Sequence, residues 1–531
     1  MQEVKNMNRK IIGSILIAIL LGVLVFGSIL FNRSPFPGMG PGSSQSEGGG
    51  GPESSGVLDE SEGTSILDVN AQDPGDRPVK SFELTAQETE WDTGDGVVSA
   101  WTYNGTVPGE MLRVTEGDFV RIELKNELEV PVTIHWHGVI LPNRMDGVPG
   151  LTQDAVQPGE TFTYEYIAED AGTYWYHSHQ HSSLQVDKGL YGALVVEEKE
   201  KEYDRDAFFL LDEWAVDVED QDTANMPGMM MGGMTGDGEA DTKQLYDTFT
   251  VNGRTGDAIE PLMMENGETM RLRFVNAGYQ QHQLVFPEGS MEVIANDGEP
   301  VEDTGNSNVL EVAPGERIDV AFTKTSGSSQ TIAHRMDVDH AEGMRIPVVS
   351  ESDTEEEAEV AEAADVSDGI SHGSENLLFE APPEPDVTYD MDLDMGMGGN
   401  MGEGMNMLEG MEFLINGETF PDTPPIEVEP GDIVRVNITN NGRMNHPMHL
   451  HGHRFQVQSK DGEPFDQPIV KDLIHVKPGE SYTIYFEADN SGEWLFHCHD
   501  NNHAGQGMMT IVDYQNTHSP FELGGEHENN P

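Results

Sequence analysis

Four His-x-His pairs carry the chemistry of this chain: His135-Trp136-His137, His177-Ser178-His179, His449-Leu450-His451 and His497-Cys498-His499. A β-strand sends successive side chains to opposite faces, so each pair presents two imidazoles on one side. Brought together, the pairs would offer eight imidazoles to one place, and imidazole is a good ligand for copper. One such pair is weak evidence; four at repeated spacings are not. Cys498, the single cysteine, faces away from its two histidine neighbours. His446 precedes it, and His503 and Met508 follow by five and ten positions. Two histidines, a thiolate and a weak axial methionine are the ligand set of an electron-transfer copper centre. Met509 is the alternative axial ligand, and an inert buried thiol is the bland reading of Cys498. An electron received at the Cys498 sulfur would have a short covalent path to the rings of His497 and His499.

The elements that must position these residues read as β. Short runs such as Phe119–Leu124 and Tyr482–Phe486 alternate apolar and polar residues between Pro-Gly and Asn-Gly turns, and long amphipathic helices are absent from the body of the chain. A repeat organises the runs. Gly117 leads to His135 and Gly431 to His449, both over 18 positions; Gly159 leads to His177 and Gly479 to His497, again over 18. The middle of the chain repeats the scaffold at Gly267 and Gly315, where the same step lands on Val285 and Ala333. Three related β-sandwich units are expected, the outer two keeping the histidine pairs. In the first unit Val132 and Ser178 occupy the places of His446 and Cys498, so a second electron-entry centre is not expected there. His282 falls at the place of His446 in the middle unit but has no neighbouring Cys or His pair, and reads as a relic or a packed histidine. His181 and His453 read as outer-layer or surface residues, and His334, His340, His372, His475, His518 and His527 carry no assignable role.

These motifs, above all HPMHLHGH at 446–453 and HCHxxxHxxxxM at 497–508, closely resemble the copper-binding motifs of the three-domain multicopper oxidases, the family of laccases, cuprous oxidases and ferroxidases. The resemblance runs from about residue 80 to 515. It implies an all-β fold of three cupredoxin-like Greek-key sandwiches and four copper ions per chain. By motif it assigns His446, Cys498, His503 and Met508 to the type 1 ion and His135 and His449 to type 2. It assigns His137, His177, His179, His451, His497 and His499 to the type 3 pair. Asp146 matches an acid that helps deliver protons near the cluster, the alternative being a turn Asp before Gly147. Asn502 and Ala504 stand where many relatives carry an acid, and Asp500 where they carry Ile or Leu. Which acid completes the proton route is therefore open.

The 531 residues carry 96 acidic against 28 basic side chains, a formal charge of −68. That disfavours nucleic acid and anionic membrane surfaces as partners and reads as adaptation to high salt, with global disorder the alternative. Lys5, Arg9 and Lys10 precede an apolar run from Ile11 to Phe31, long enough to cross a bilayer. The expected organisation is a signal or anchor at 1–31, with everything after it outside the cytoplasm, and a flexible tether at 32–78. First and second sandwiches follow at 79–200 and 201–349, an acidic linker at 350–386, the third sandwich at 387–515 and an acidic tail at 516–531. Met-Gly-rich stretches at 226–234 and 391–411 point to Cu(I), a soft ion that thioethers select, or are simply flexible loops. The expected activity is one-electron oxidation of Cu(I), Fe(II), phenols or aromatic amines, coupled to reduction of O2 to water. A non-catalytic copper-sequestering protein is the alternative.

Overall fold

The computed structural model describes residues 63–216, 246–351 apart from 304–306, 326 and 336–342, 372–397 and 411–531, with isolated positions at 353, 361 and 363. The expected N-terminal apolar run and the Met-Gly stretch at 226–234 lie outside the described residues, among which no helix is long and apolar enough to cross a membrane.

Three sandwiches share one strand pattern. In the first, Val79–Asp92 lies between antiparallel Val97–Tyr103 and parallel Phe119–Asn126. In the second, Asp206–Trp214 lies between antiparallel Thr248–Val251 and parallel Thr269–Asn276. In the third, Val387–Met397 lies between antiparallel Met411–Ile415 and parallel Ile433–Asn440. Facing these are sheets holding the histidine-bearing strands: His135–His137 pairs with Gly172–His177, and His446–Leu450 pairs with Glu493–Cys498. The period-2 alternation of Ile433–Asn440, in which every second residue is buried, shows why the sequence folds this way: one face meets the core and the other meets water. The histidine strands break that alternation. His135–His137 and His446–Leu450 are buried on both faces, because the cluster lies on one side and the sandwich core on the other.

Four segments differ from the sequence expectation. The end of the expected tether is docked: Thr64–Ser65 pairs with Thr517–His518, Ile66 is buried, and Gln72 Oε1 accepts from the Ile167 N–H at 2.6 Å. The expected acidic tail folds back on the first sandwich, where Asn529 bonds Ala155 and Asp154, and Asn530 bonds Gln180 and His181. In the expected linker, His372–Ser374 forms a strand against Glu299–Asp303, and Phe379 exchanges backbone bonds with the Gln456 side chain. The second Met-rich stretch is not one low-complexity loop: 391–397 completes a strand with Met391 in the core, while 398–410 lies outside the described residues. In each case a segment rich in polar residues satisfies its backbone by hydrogen bonding to a neighbour, which composition does not reveal.

Candidate metal centre

Each histidine pair sits where a strand ends. His135 and His137 span a three-residue strand that stops at Gly138. At φ 83° this glycine brings the backbone against a buried arginine, since a Cβ there would lie 2.3 Å from Arg317 Nη2. The third sandwich makes the same stop after His451, where Gly452 has φ 64° and a Cβ would strike the Trp494 ring at 2.3 Å.

The four pairs converge. His137, His177 and His499 bring ligand atoms within 4.8 Å of one another, as do His179, His451 and His497, and as do His135, His137 and His449. All eight rings are buried. His137 and His449 stack with centroids 3.7 Å apart, and His135 and His451 at 3.9 Å. Trp175 lies 4.3 Å from the His177 ring and 5.4 Å from that of His499, an indole wall that keeps water from that side.

The hydrogen bonds fix which nitrogens face inward. His135 Nδ1 bonds the Asp146 carbonyl at 2.8 Å, His177 Nδ1 the Ser178 carbonyl at 3.0 Å, and His449 Nδ1 the Asp472 carbonyl at 2.9 Å. The Nε2 of each of these rings is buried without a hydrogen-bond partner. His497 Nδ1 bonds the Cys498 carbonyl at 2.9 Å, while its Nε2 lies 3.0 Å from His451 Nε2 and 3.5 Å from His179 Nε2. Several inward nitrogens converging without partners is costly unless a cation receives them. Burial holds His137, His177, His179, His449, His451, His497 and His499 below the ordinary imidazole range, with the neighbouring rings adding to this at every one. Neutral imidazole is the form that binds metal. The residues fit bound copper.

A second group lies on the core side of the same strand. Cys498 Sγ is 3.7 Å from His446 Nδ1 and 3.6 Å from His503 Nδ1, and all three are buried. The Cys498 N–H donates to the Met508 carbonyl at 3.0 Å, so Met508, fully buried, sits beside the sulfur's strand. His503 rides on the short helix Asn501–Gly505, which Asp500 caps by accepting from the Asn502 and His503 N–H groups. That is what the unexpected acid at 500 does. Phe413 stacks on His503 at 3.9 Å. Burial pushes the Cys498 thiol up and His503 down to about 3. A thiolate in so dry a place requires a cation beside it, which two buried imidazoles with Nδ1 turned to the sulfur match.

Two buried acids border the cluster. Asp146 Oδ2 accepts from His451 Nδ1 at 2.8 Å, and its Oδ1 lies 3.2 Å from His135 Nδ1. Asp472, which the sequence reading passed over, lies 3.5 Å from His137 Nε2 and 3.4 Å from His449 Nδ1. Arg317 of the second sandwich grips it with two bonds of 2.6 Å. Burial works to raise Asp472, but Arg317 overrides it and holds the carboxyl well below the usual range. The available signal was an acid inside an apolar run, Ile469-Val470-Lys471-Asp472-Leu473-Ile474, where a carboxylate needs a partner to be buried. His453 is not a surface residue: it is buried, with Nε2 2.7 Å from the Tyr514 hydroxyl and Nδ1 3.0 Å from the His451 carbonyl.

Residues 85–201, 211–341 and 382–518 each match a multicopper oxidase family. The chain is 30% identical over 461 residues to the multicopper oxidase MmcO of Mycobacterium tuberculosis, covering 81% of this chain and 86% of that one. It is 27% identical over 545 residues to a copper resistance protein A homolog of Pseudomonas syringae pv. tomato, covering 81% and 92%. A crystal structure of a multi-copper oxidase from Pseudomonas thermotolerans superposes with TM-score 0.63 at 27% identity, over 82% of this chain and all of that one. The shared all-β architecture, the buried histidine clusters and the matches along the chain make this protein a member of the multicopper oxidase family, a copper-dependent oxidoreductase.

Proposed function

We propose that this oxidase couples one-electron oxidation of Cu(I), and of phenols and aromatic amines, to four-electron reduction of dioxygen to water, and serves copper tolerance outside the cytoplasm. The observation that carries the reading is the back-to-back placement of two groups on one strand. Cys498 with His446 and His503 lies on one face, and the rings of its immediate neighbours, His497 and His499, join the imidazole cluster on the other.

We assign four ions per chain: type 1 at His446, Cys498, His503 and Met508; type 2 at His135 and His449; and a type 3 pair at His137, His177 and His499 and at His179, His451 and His497. Bound copper supplies the one-electron acceptance and the dioxygen reduction. The protein's own part is to keep the ligands neutral, buried and aimed. Cys498 gives a path of one residue's backbone in each direction to rings at the cluster. Asp146 has Oδ2 engaged by His451, which leaves Oδ1 as the atom to carry a proton. Asp472 does not share that task, because Arg317 keeps it anionic as a counter-charge beside His137 and His449.

Copper as substrate is supported by the methionines of 398–410 and 226–234 and by a relative named for copper resistance. The apolar run at 11–31 serves as export signal or anchor, the excess of acidic residues suits high salt, and the domain limits are 79–200, 201–349 and 387–515. Oxygen uptake in high salt with Cu(I), Fe(II) or a phenol tests this directly. Deleting 398–410, which spares Met391 in the core, should lower uptake with Cu(I) and leave phenol oxidation intact. Equal rates with Cu(I) before and after deletion would remove copper as the preferred donor. Copper binding without oxygen uptake from any donor would instead favour a sequestering protein.

A further inference from the structure

The second sandwich, set aside above as lacking copper motifs, contains a pocket built on the plan of the Cys498 site. His282 pairs with Val312 as His446 pairs with Val476, and Leu284 faces His334 as Met448 faces Cys498. His334 therefore occupies the place of Cys498. Its N–H donates to the Met344 carbonyl at 2.9 Å, as that of Cys498 donates to Met508 at 3.0 Å, so Met344 occupies the place of Met508. Phe249 and Phe413 each stand three residues before the Asn-Gly of a hairpin turn. Phe249 lies 6.0 and 6.2 Å from the rings of His282 and His334, as Phe413 lies beside those of His446 and His503. Three of the four ligand-bearing positions of the type 1 plan thus hold His282, His334 and Met344, all buried. The first sandwich shows what loss of such a site looks like: Val132 and Ser178 stand there, and the Ser178 hydroxyl is satisfied by Gln185.

The polar atoms in the pocket call for a cation. His334 Nδ1 bonds the Arg335 carbonyl at 2.9 Å, which leaves Nε2 as a lone pair aimed at His282 Nδ1, 3.2 Å away. On the far side, His282 Nε2 lies 3.3 Å from Glu213 Oε2, and neither of these two atoms has a hydrogen-bond partner. The 3.2 Å contact closes as a hydrogen bond only if His282 carries its proton on Nδ1, which would set its Nε2 lone pair against the Glu213 carboxylate; with the proton on Nε2, facing the carboxylate, His282 turns a lone pair toward His334. Two lone pairs that close in a buried site repel unless an ion sits between them, and about 3.2 Å is the separation of two nitrogens on one tetrahedral ion at about 2.0 Å from each. Glu213 is held by the Tyr279 and Gln280 N–H groups at 2.7 and 2.9 Å, as an outer carboxylate that steers a metal-binding histidine is held.

We infer that the second sandwich binds one copper ion of its own, through His282 Nδ1, His334 Nε2 and the thioether of Met344, with Glu213 orienting His282. Two imidazoles and a thioether select copper over harder divalent ions. Without a thiolate, this ion gives no blue absorption.

Copper and zinc per chain, measured by mass spectrometry on copper-loaded, chelator-washed full-length protein, test the site. Wild type should hold one equivalent of copper more than His334→Leu, with the blue absorbance of the Cys498 site equal in both as the control for folding. Met344→Leu, a milder change in the core, should weaken retention of that same equivalent against chelator, and the lost signal should be a non-blue Cu(II) resonance by electron paramagnetic resonance. Identical copper content in wild type and both variants overturns the proposal. Zinc in place of that equivalent overturns the choice of metal.

Discussion

Cys498 is the residue on which most depends, because its sulfur sits with His446 and His503 while the rings of both its chain neighbours enter the imidazole cluster. Cys498→Ser should abolish the blue absorbance near about 600 nm and turnover with every donor, while leaving the imidazole cluster able to hold its copper. Retained colour in the variant would remove Cys498 as a ligand. Asp146→Asn keeps the shape and the bond from His451 but removes the carboxylate oxygen proposed above to carry the proton. Turnover should fall by about a hundred- to ten-thousand-fold with the blue absorbance unchanged. A drop confined to the KM for the donor would speak against a proton role. Glu493 gives a residue-scale test of pH. Burial pushes its carboxyl up to about 7 from an ordinary value of 4.5, partly offset by the Ser519 N–H that it accepts. A raised folded value means that the stability it contributes is complete below about 4.5 and is lost as pH rises through about 7. Glu493→Gln should therefore gain in Tm over wild type between about pH 5 and about pH 8, and a constant difference across that range would rule the effect out.

At the scale of elements, the cluster is held by strand ends and by one arginine from outside both histidine-bearing sandwiches. Arg317 is fully buried, pairs with Asp472 and contacts Asp297 at 3.2 Å, while Lys471 next in the chain pairs with Asp297 and Glu316. Removing one member of such a network leaves an unpaired charge in a dry place. Arg317→Met should cost about 3–5 kcal/mol by chemical unfolding and loosen copper beside His137 and His449, seen as faster loss to chelator. An unfolding midpoint within error of wild type would show that water reaches Asp472. The second sandwich is thus more than a spacer: it supplies the counter-charge that fixes an acid at the cluster.

For the molecule as a whole, the net charge of −68 on 531 residues is a self-repulsion that salt screens. Tm should rise steeply as KCl is raised from about 0.1 M to about 2 M, and a flat response would remove the high-salt reading of the composition. The C-terminal segment and the residues before Val79 pair with each other and lie along the body, so both ends of the described chain add to one compact unit.

The all-β plan and the grouping of the histidine pairs were legible in the residues, because residue type, strand period and the 18-position step each constrain geometry locally. Asp472 showed in the sequence only as an acid inside an apolar run; its role depends on Arg317, 155 positions earlier. His334 was also passed over, although it stands as far from Gly315 as Cys498 does from Gly479: a histidine in a cysteine's place carries no motif. Docking of the two ends and of His372–Ser374 escaped the sequence for a related reason, since polar, Gly- and acid-rich composition describes both a free linker and one whose backbone finds partners. Spacing along the chain determined which side chains share a strand face. Which faces meet, and which charge answers a buried carboxylate, was decided by packing between strands far apart in sequence, where the cost of an unpaired buried group selects the partner.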